Sequence, residues 1–416
     1  MDIAIIGGGI AGLSLAMHLH RHGLAARVYE RAPEILPLGV GITLLPHAMR
    51  EFATLGVADD IEREGIVITE SAFFNRFGQR IYSEARGRHG GYPFPEVSIH
   101  RGALHLILWR AAVARLGADA LRTGCDCTGV TQDQHGATVH FRTSGAGAGP
   151  GAGSVRADVV IACDGINSTL RRAFYPDDRT AFAGINTWRG VTRRKPFLDG
   201  RTYTRTGSIL TGKMVIYPIV ADVDGSGDQL INWMAEIKGD AAEMNDWNRS
   251  GDPADFLPIY QDWRFPWLDV AELIRTADLV LEYPMVDKDP VARWTFGRVT
   301  LAGDAAHPMY PRGSNGAAQA AIDARTLAEC LARAQAPGDG LLEYEARRLP
   351  AANKVVLTNR AHPPDFINIR VEELVGDRPF ENLDHYITQA ELRALSERYK
   401  RIAGFALGDL AARPTP

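Results

Sequence analysis

The chain opens Asp2-Ile3-Ala4-Ile5-Ile6-Gly7-Gly8-Gly9-Ile10-Ala11-Gly12, and the reading of this stretch decides the fold. Ile3 to Ile6 is short and apolar, as a buried strand is. Leu13-Ser14-Leu15-Ala16-Met17-His18-Leu19 then carries helical periodicity, and Ala26-Arg27-Val28-Tyr29-Glu30 reads as a second strand. Strand, glycine turn, helix and strand together make a βαβ unit. In Gly7-x-Gly9-x-x-Gly12 the first glycine makes the tight turn and the second lets backbone approach a pyrophosphate. The third lets helix and strand pack closely. The helix N-terminus adds unpaired N–H groups and a positive dipole end. Glu30 ends the second strand 18 residues after Gly12 and can accept hydrogen bonds from both hydroxyls of a ribose. The segment therefore predicts a bound dinucleotide held by Gly7, Gly9, Ile10, Ala11, Gly12, Glu30 and the adjoining Arg31.

Two further strands end in a carboxylate. Asp158-Val159-Val160-Ile161-Ala162-Cys163 leads into Asp164-Gly165, and Arg298-Val299-Thr300-Leu301-Ala302 leads into Gly303-Asp304. Both place acids at the carboxyl edge of a sheet, where ligands bind in α/β folds. Between them, residues from about Phe174 to Tyr283 lack βαβ alternation, and Thr202–Arg205, Lys213–Tyr217 and Leu230–Met234 read as antiparallel strands. Shorter strands are expected around Ala72–Phe74 and Gln79–Tyr82, and helices over Leu104–Leu116 and from near Gly316 to about Gln335.

These motifs resemble those of the single-component FAD-dependent aromatic hydroxylases, the group that contains p-hydroxybenzoate, salicylate and 3-hydroxybenzoate hydroxylases, and most of all its phenazine-modifying members. The likeness covers almost the whole chain and includes Pro37-Leu38-Gly39-Val40-Gly41-Ile42, Ser98-Ile99-His100-Arg101-Gly102, Thr187-Trp188-Arg189-Gly190-Val191-Thr192, Tyr283-Pro284-Met285-Val286-Asp287 and Met309-Tyr310-Pro311. Many relatives carry two consecutive prolines where this chain has Tyr310-Pro311. The resemblance implies an α/β fold: a Rossmann-like FAD-binding domain of the p-hydroxybenzoate hydroxylase kind, an interleaved mixed or antiparallel β-sheet substrate domain, and C-terminal helices. The expected division is 1–70, 97–173 and 285–350 for FAD, 71–96 and 174–284 for substrate, and 351–416 for the helical end.

The resemblance also implies roles. Asp304 holds the ribityl hydroxyls of FAD, and Arg101 lies on the pyrophosphate side. Asp164 opens the pattern Asp-Gly-x-x-Ser-x-x-Arg, completed by Ser168 and Arg171, which is associated with FAD and pyridine nucleotide. Gly39, Val40 and Gly41 line the isoalloxazine. Pro311, Gly313, Ser314, Asn315 and Gly316 lead into the long helix, whose N-terminal amides face the flavin N1–C2=O edge. The implied reaction takes NADH or NADPH and O2, and transfers one oxygen from a flavin C4a hydroperoxide to a small aromatic or heteroaromatic ring, carboxylated or phenolic. No protein nucleophile is expected, because the cofactor does the chemistry. Trp188, Arg189, Arg205, Tyr217, Trp233, Met285 and Tyr310 are the candidates for the substrate pocket, with Arg189 or Arg205 pairing with a substrate carboxylate. No second Gly-x-Gly-x-x-Gly exists. The run Gly145 to Gly153 contains Pro150 and leads into no helix, so NAD(P)H is expected to dock without a Rossmann domain of its own.

Composition narrows the alternatives. A net charge of -4 argues against nucleic acid, which calls for a basic face. No apolar run reaches membrane-spanning length and no signal peptide is present, so a cytoplasmic monomer or homodimer is expected. Cys125, Cys127, Cys163 and Cys330 read as free thiols, and His18 and His22 find no third ligand, so no metal is expected. The other readings are a redox-sensing FAD protein and an oxidase- or halogenase-like flavoenzyme of the same fold. The halogenase would need a Trp-x-Trp-x-Ile-Pro segment that Trp233-Met234-Ala235 does not supply.

Overall fold

Ile3–Ile6 is buried along its whole length and pairs in parallel with Val159–Ala162 on one side and Ala26–Tyr29 on the other. A strand apolar on both faces belongs in the middle of a parallel sheet covered by helices. That sheet has six strands, in the order Thr295–Phe296, Val299–Leu301, Val159–Ala162, Ile3–Ile6, Ala26–Tyr29 and Leu121–Arg122, all parallel except the edge strand Thr295–Phe296. Helix Ile10–Arg21 packs between helices Arg101–Leu116 and Gly316–Arg333. The carboxyl ends of Ile3–Ile6, Val159–Ala162 and Val299–Leu301 therefore meet at one edge, where the glycine turn, Asp164 and Asp304 emerge. The structure, a computed structural model, describes residues 1–143, 153–240, 249–361, 366–404 and 406–408. The glycine run up to residue 152 and the tail Ala411–Pro416 lie outside them.

A seven-stranded sheet forms the second layer system, in the order Leu279–Lys288, Thr180–Arg194, Gln229–Lys238, Gly212–Val220, Thr202–Ser208, Glu70–Phe74 and Arg80–Ala85. Its two faces bury different sets of side chains, because successive residues of a strand point to opposite sides. One face carries Trp188, Met214, Ile216, Ile231 and Trp233 against Phe256, Tyr260 and Trp263. The other carries Val191, Tyr203, Val215, Tyr217 and Ile219 against Val40, Ile66 and Ile68. This second face looks toward a small sheet of Gly41–Leu44, Glu96–His100 and Ile66–Ile68. The helices Phe366–Val375 and Gln389–Ala403 pack on Phe73, Ile81 and Tyr82. A capping box between Thr388 and Glu391 starts the second of them.

All five expected boundaries fall inside elements: 70/71 lies within strand Glu70–Phe74, 96/97 within strand Glu96–His100 and 173/174 within helix Thr169–Phe174. The one between residues 284 and 285 lies within strand Leu279–Lys288, and the one between 350 and 351 lies within helix Pro337–Ala361, which contains Pro350. Among the described residues no helix is long and apolar enough to cross a membrane, and no group of three or more His, Cys, Asp or Glu side chains could hold a metal ion.

Trp188 and Trp233 need correction as pocket candidates. Trp188 is the neighbour of Arg189, so strand alternation sends the two to opposite faces, and Trp188 stacks on Phe256 at 4.9 Å. Trp233 is fully buried and donates its indole N–H to Thr192 Oγ1 at 3.0 Å. Trp233→Ala is expected to lower stability by about 3–5 kcal/mol, the cost of a large aromatic cavity. Urea unfolding checks this, and the folded fraction should keep its affinity for aromatic ligands.

Candidate functional site

Gly7 has φ +107, and a Cβ there would collide with the Cys163 carbonyl oxygen; one at Gly12 would collide with the Gly7 carbonyl oxygen. Both positions demand glycine, which brings the ends of two strands and a helix into contact. Gly9 has nothing within 4 Å of where its Cβ would lie, so the turn faces open space. Glu30 ties the turn down: Oε2 accepts from Gly8 N at 2.7 Å, and Oε1 accepts from Ala32 N at 2.8 Å. Each oxygen keeps acceptor capacity for a further donor. His105 reaches the Gly8 carbonyl oxygen at 2.6 Å. Arg31 is exposed at the rim.

Asp164 and Asp304 occupy the adjacent strand ends. Asp164 Oδ2 accepts from Thr169 N at 2.8 Å, while Oδ1 is buried with no partner. Burial raises its carboxyl above the ordinary value, with Ser168 and nearby amides opposing. Arg171 explains the Asp-Gly-x-x-Ser-x-x-Arg spacing in part. Ser168 Oγ caps its helix at Arg171 N, and the guanidinium, fully buried, donates to both Asp178 oxygens at 2.9 Å and to the Ala305 and Ala306 carbonyls. The two carboxylate-bearing turns are thus bolted together. Asp304 is exposed to the cleft. Desolvation by the surrounding protein raises its carboxyl above the ordinary value, with His307 and Arg101 opposing. Arg101 begins helix Arg101–Leu116, is exposed, and runs beside Gly39.

Behind Asp304 lies a buried network. His307 Nε2 meets Asp323 Oδ2 at 2.5 Å, Arg348 Nε donates to Asp323 Oδ1 at 2.7 Å, and Gly303 N donates to Oδ2 at 3.1 Å. Burial opposes ionisation of Asp323, but His307 and Arg348 outweigh it and hold the carboxyl down at about 2. His307 therefore serves the frame of the Gly303–Asp304 turn.

The face of the large sheet that looks toward the small sheet brings together Arg189, Arg205 and Tyr217. The paired residues Arg189, Met234, Val215 and Arg205 form one row across four strands. At about 4.8 Å per strand, the two arginines stand roughly 14 Å apart at Cα. Met234 is half-buried in the middle of the row, and Arg189, Leu281 and Tyr283 are likewise half-buried, so the Arg189 end of the row is only partly covered, whereas Val215 and Arg205 are buried. The Arg189 guanidinium lies 5.2 Å over the Tyr283 ring, and its buried Nε has no hydrogen-bond partner. Arg205 lies over Tyr203 at 4.5 Å and Phe73 at 5.0 Å, and donates to Ser71 Oγ at 2.7 Å. Neither arginine pairs with a carboxylate among the described residues. Tyr217 stacks on Tyr203 at 4.7 Å, and burial pushes its phenol up. Gly41 N donates to Asn232 Oδ1 at 2.7 Å, which pins Gly39–Val40–Gly41 to this face.

Met285 and Tyr310 sit apart from that row, packed with Ile185 and Ile209. Pro311 is exposed, and Gly313 and Ser314 take left-handed φ values of 85 and 56 before Asn315 and Gly316 start the long helix. Sequence reasoning missed Asn232, Tyr203, Tyr283, His105 and Asp323. Asn232 carried a signal, a polar residue inside Leu230-Ile231-Asn232-Trp233-Met234, and Tyr203 lies two residues from Arg205 and so on its face.

Asp323→Asn is expected to cost about 3–5 kcal/mol at neutral pH by leaving buried Arg348 unpaired. A depressed carboxyl contributes stability that is complete above its unfolded value of about 3.9 and lost as pH falls toward 2. The gap between wild type and variant, measured by denaturant unfolding, should therefore close below about pH 4.

A family profile described as an FAD binding domain matches residues 1–204 and 285–359. The phenazine 1,6-dicarboxylic acid hydroxylase of Lysobacter antibioticus is 39% identical over 364 residues, covering 86% of this chain and 89% of the relative. The 3-amino-4-hydroxybenzoate 2-monooxygenase of Streptomyces platensis is 33% identical over 372 residues, 88% of each chain. A salicylate hydroxylase substrate complex superimposes with a TM-score of 0.72 at 23% identity, covering 100% of this chain and 98% of that one, a likeness of fold. Relatives, fold and the geometry of the cleft agree: the chain belongs to the FAD-dependent aromatic monooxygenases.

Proposed function

We propose that the protein hydroxylates a carboxylated aromatic or heteroaromatic ring, with NADH or NADPH and O2 as co-substrates, in a hollow at the partly covered Arg189–Met234 end of the Arg189–Met234–Val215–Arg205 row. The observation that carries this is the pair of guanidiniums on one sheet face, stacked on aromatic rings and lacking any carboxylate of the described protein. A carboxylate on the ring supplies what they lack, and a planar guanidinium matches it bidentately. The named activities of relatives point the same way, since phenazine 1,6-dicarboxylic acid, 3-amino-4-hydroxybenzoate and 6-hydroxynicotinate all bear carboxyl groups. Domain 71–96 with 174–284 is the substrate side of this reading, supported by strands Glu70–Phe74 and Arg80–Ala85 joining the large sheet.

The residues fit FAD. Gly7, Gly9, Ile10, Ala11 and Gly12 present the helix N-terminus to the pyrophosphate, Glu30 retains acceptors for the adenosine ribose, and Arg31 borders it. Arg101 offers a guanidinium on the pyrophosphate side, and Asp304 offers a carboxylate to the ribityl hydroxyls. The orphaned Asp164 Oδ1 is an acceptor awaiting a donor at the same edge. Gly39, Val40 and Gly41, fixed by Asn232, form a wall for the ring system, and Gly313, Ser314, Asn315 and Gly316, led in by Pro311, put amides at its far edge. FAD supplies hydride acceptance and oxygen activation. The chain's own part is to orient the ring through Arg189 and Arg205 and to keep water from the hollow with Leu281, Met234 and Tyr217.

The test is NAD(P)H and oxygen consumption by the FAD-loaded enzyme across phenazine carboxylates, hydroxybenzoates and hydroxynicotinates, with decarboxylated partners as controls. Stimulation by carboxylated rings alone supports the proposal, and equal stimulation by the uncharged controls contradicts it. Arg189→Met should raise KM for the best substrate about 10–100-fold, the loss of a charge-assisted hydrogen bond of about 1.5–3 kcal/mol. Asp304→Ala should weaken FAD binding by a similar factor, read by flavin fluorescence.

A further inference from the structure

The turn between Tyr310 and Gly316 is held by a side-chain hydrogen-bond chain that ends on the C-terminal helix. Asn315 Oδ1 faces His47 Nε2 at 3.1 Å, so the imidazole donates from that nitrogen. Asn315 Nδ2 donates to Tyr399 Oη at 2.8 Å and to the Gly313 carbonyl at 3.2 Å. Tyr399 Oη donates in turn to Asn359 Oδ1 at 3.0 Å, and Asn359 Nδ2 donates to the Tyr310 carbonyl at 3.4 Å. Every link has one direction, and the chain grips the turn at residues 310, 313 and 315. Burial lowers His47 to about 3, so the chain stays uncharged across the working pH range.

The turn needs such a grip. Gly313 and Ser314 are both left-handed, and a non-glycine residue there costs of order 1–3 kcal/mol unless its surroundings enforce it. Tyr399 enforces it from above: its hydroxyl occupies the place where a Cβ on Gly313 would lie. His47, Asn315, Asn359 and Tyr399 are all buried. The next residue of the helix, Lys400, pairs with Glu84 of the large sheet at 2.8 Å. Ser396 Oγ donates to the same Glu84 oxygen at 2.8 Å. Helix Gln389–Ala403 is thus anchored on the substrate sheet and reaches the turn with one hydroxyl.

We propose that Tyr399 is a positioning residue: through Asn315 it fixes the amides of Gly313–Gly316 against the pyrimidine edge of the flavin and so tunes the reduction potential. This rests on the placement of that turn against the flavin given above. Amides held toward a developing negative charge stabilise the reduced cofactor more than the oxidised one. Loosening them makes the bound FAD harder to reduce.

The full-length Tyr399→Phe variant tests this with two readouts that do not depend on turnover. Hydrogen exchange of the amides 313–316 in the FAD-loaded protein should speed up at least tenfold. The midpoint potential of bound FAD should fall by about 30 mV, the equivalent of a tenfold loss in preference for the reduced form. Asn359→Leu removes the other partner of the same hydroxyl and should reproduce both effects, and the double variant should add nothing further. Should Tyr399→Phe fail to fold, Asn359→Leu carries the test alone. Unchanged exchange with FAD bound normally overturns the clamp. Faster exchange with an unchanged potential overturns the placement of the turn against the flavin, and the proposal with it. Single-variant effects that sum in the double variant also overturn it.

Discussion

The approach of Gly7 to the Cys163 carbonyl is the constraint on which the site depends. No side chain fits between the end of the first strand and the end of Val159–Ala162, and none fits between Gly12 and the Gly7 carbonyl. Close packing at those two points sets the first helix directly on the strand ends. Arg171, anchored by Asp178, then ties the Asp164 segment to the carbonyls beyond Asp304. Three separate stretches of chain converge because one turn is small and one arginine is buried.

The second sheet follows a different rule. Each strand alternates, so one face becomes a packed aromatic core around Trp233 and Trp263, and the other becomes the roof of the cleft. Asn232 accepts from Gly41 on that second face and joins the two domains at a point beside the expected ring system. Arginines without carboxylates among the described residues then stand on that face, where the proposed substrate would lie. Charge left uncompensated on a half-buried surface is a stronger pointer to substrate chemistry than the aromatic residues that surround it.

Much of this was legible in the amino-acid order. Ile3–Ile6, the glycine spacing, Glu30 and the two carboxylate-ended strands announce the parallel sheet and its ligand edge through local pattern alone. Arg189 and Arg205 could be named as candidates, but their common row follows from a register across four strands that no local pattern encodes. Trp188 and Trp233 misled for a related reason: an aromatic residue beside a pocket residue has the wrong parity to share its face. Asp323 and Tyr399 were hidden altogether, since each acts on a turn that lies far from it in sequence. The expected breaks, 284/285 and 350/351 among them, cut through strands and helices, because the end of a hydrogen-bonded element leaves no mark in a local motif.

Isotopic labelling tests the central claim most directly. The FAD-loaded enzyme, supplied with NAD(P)H and its best carboxylated aromatic under labelled oxygen gas, should release a product carrying one oxygen atom from the gas, with the second recovered as water. A product whose new oxygen comes from solvent, or NAD(P)H oxidation that yields only hydrogen peroxide with every carboxylated ring, would contradict it.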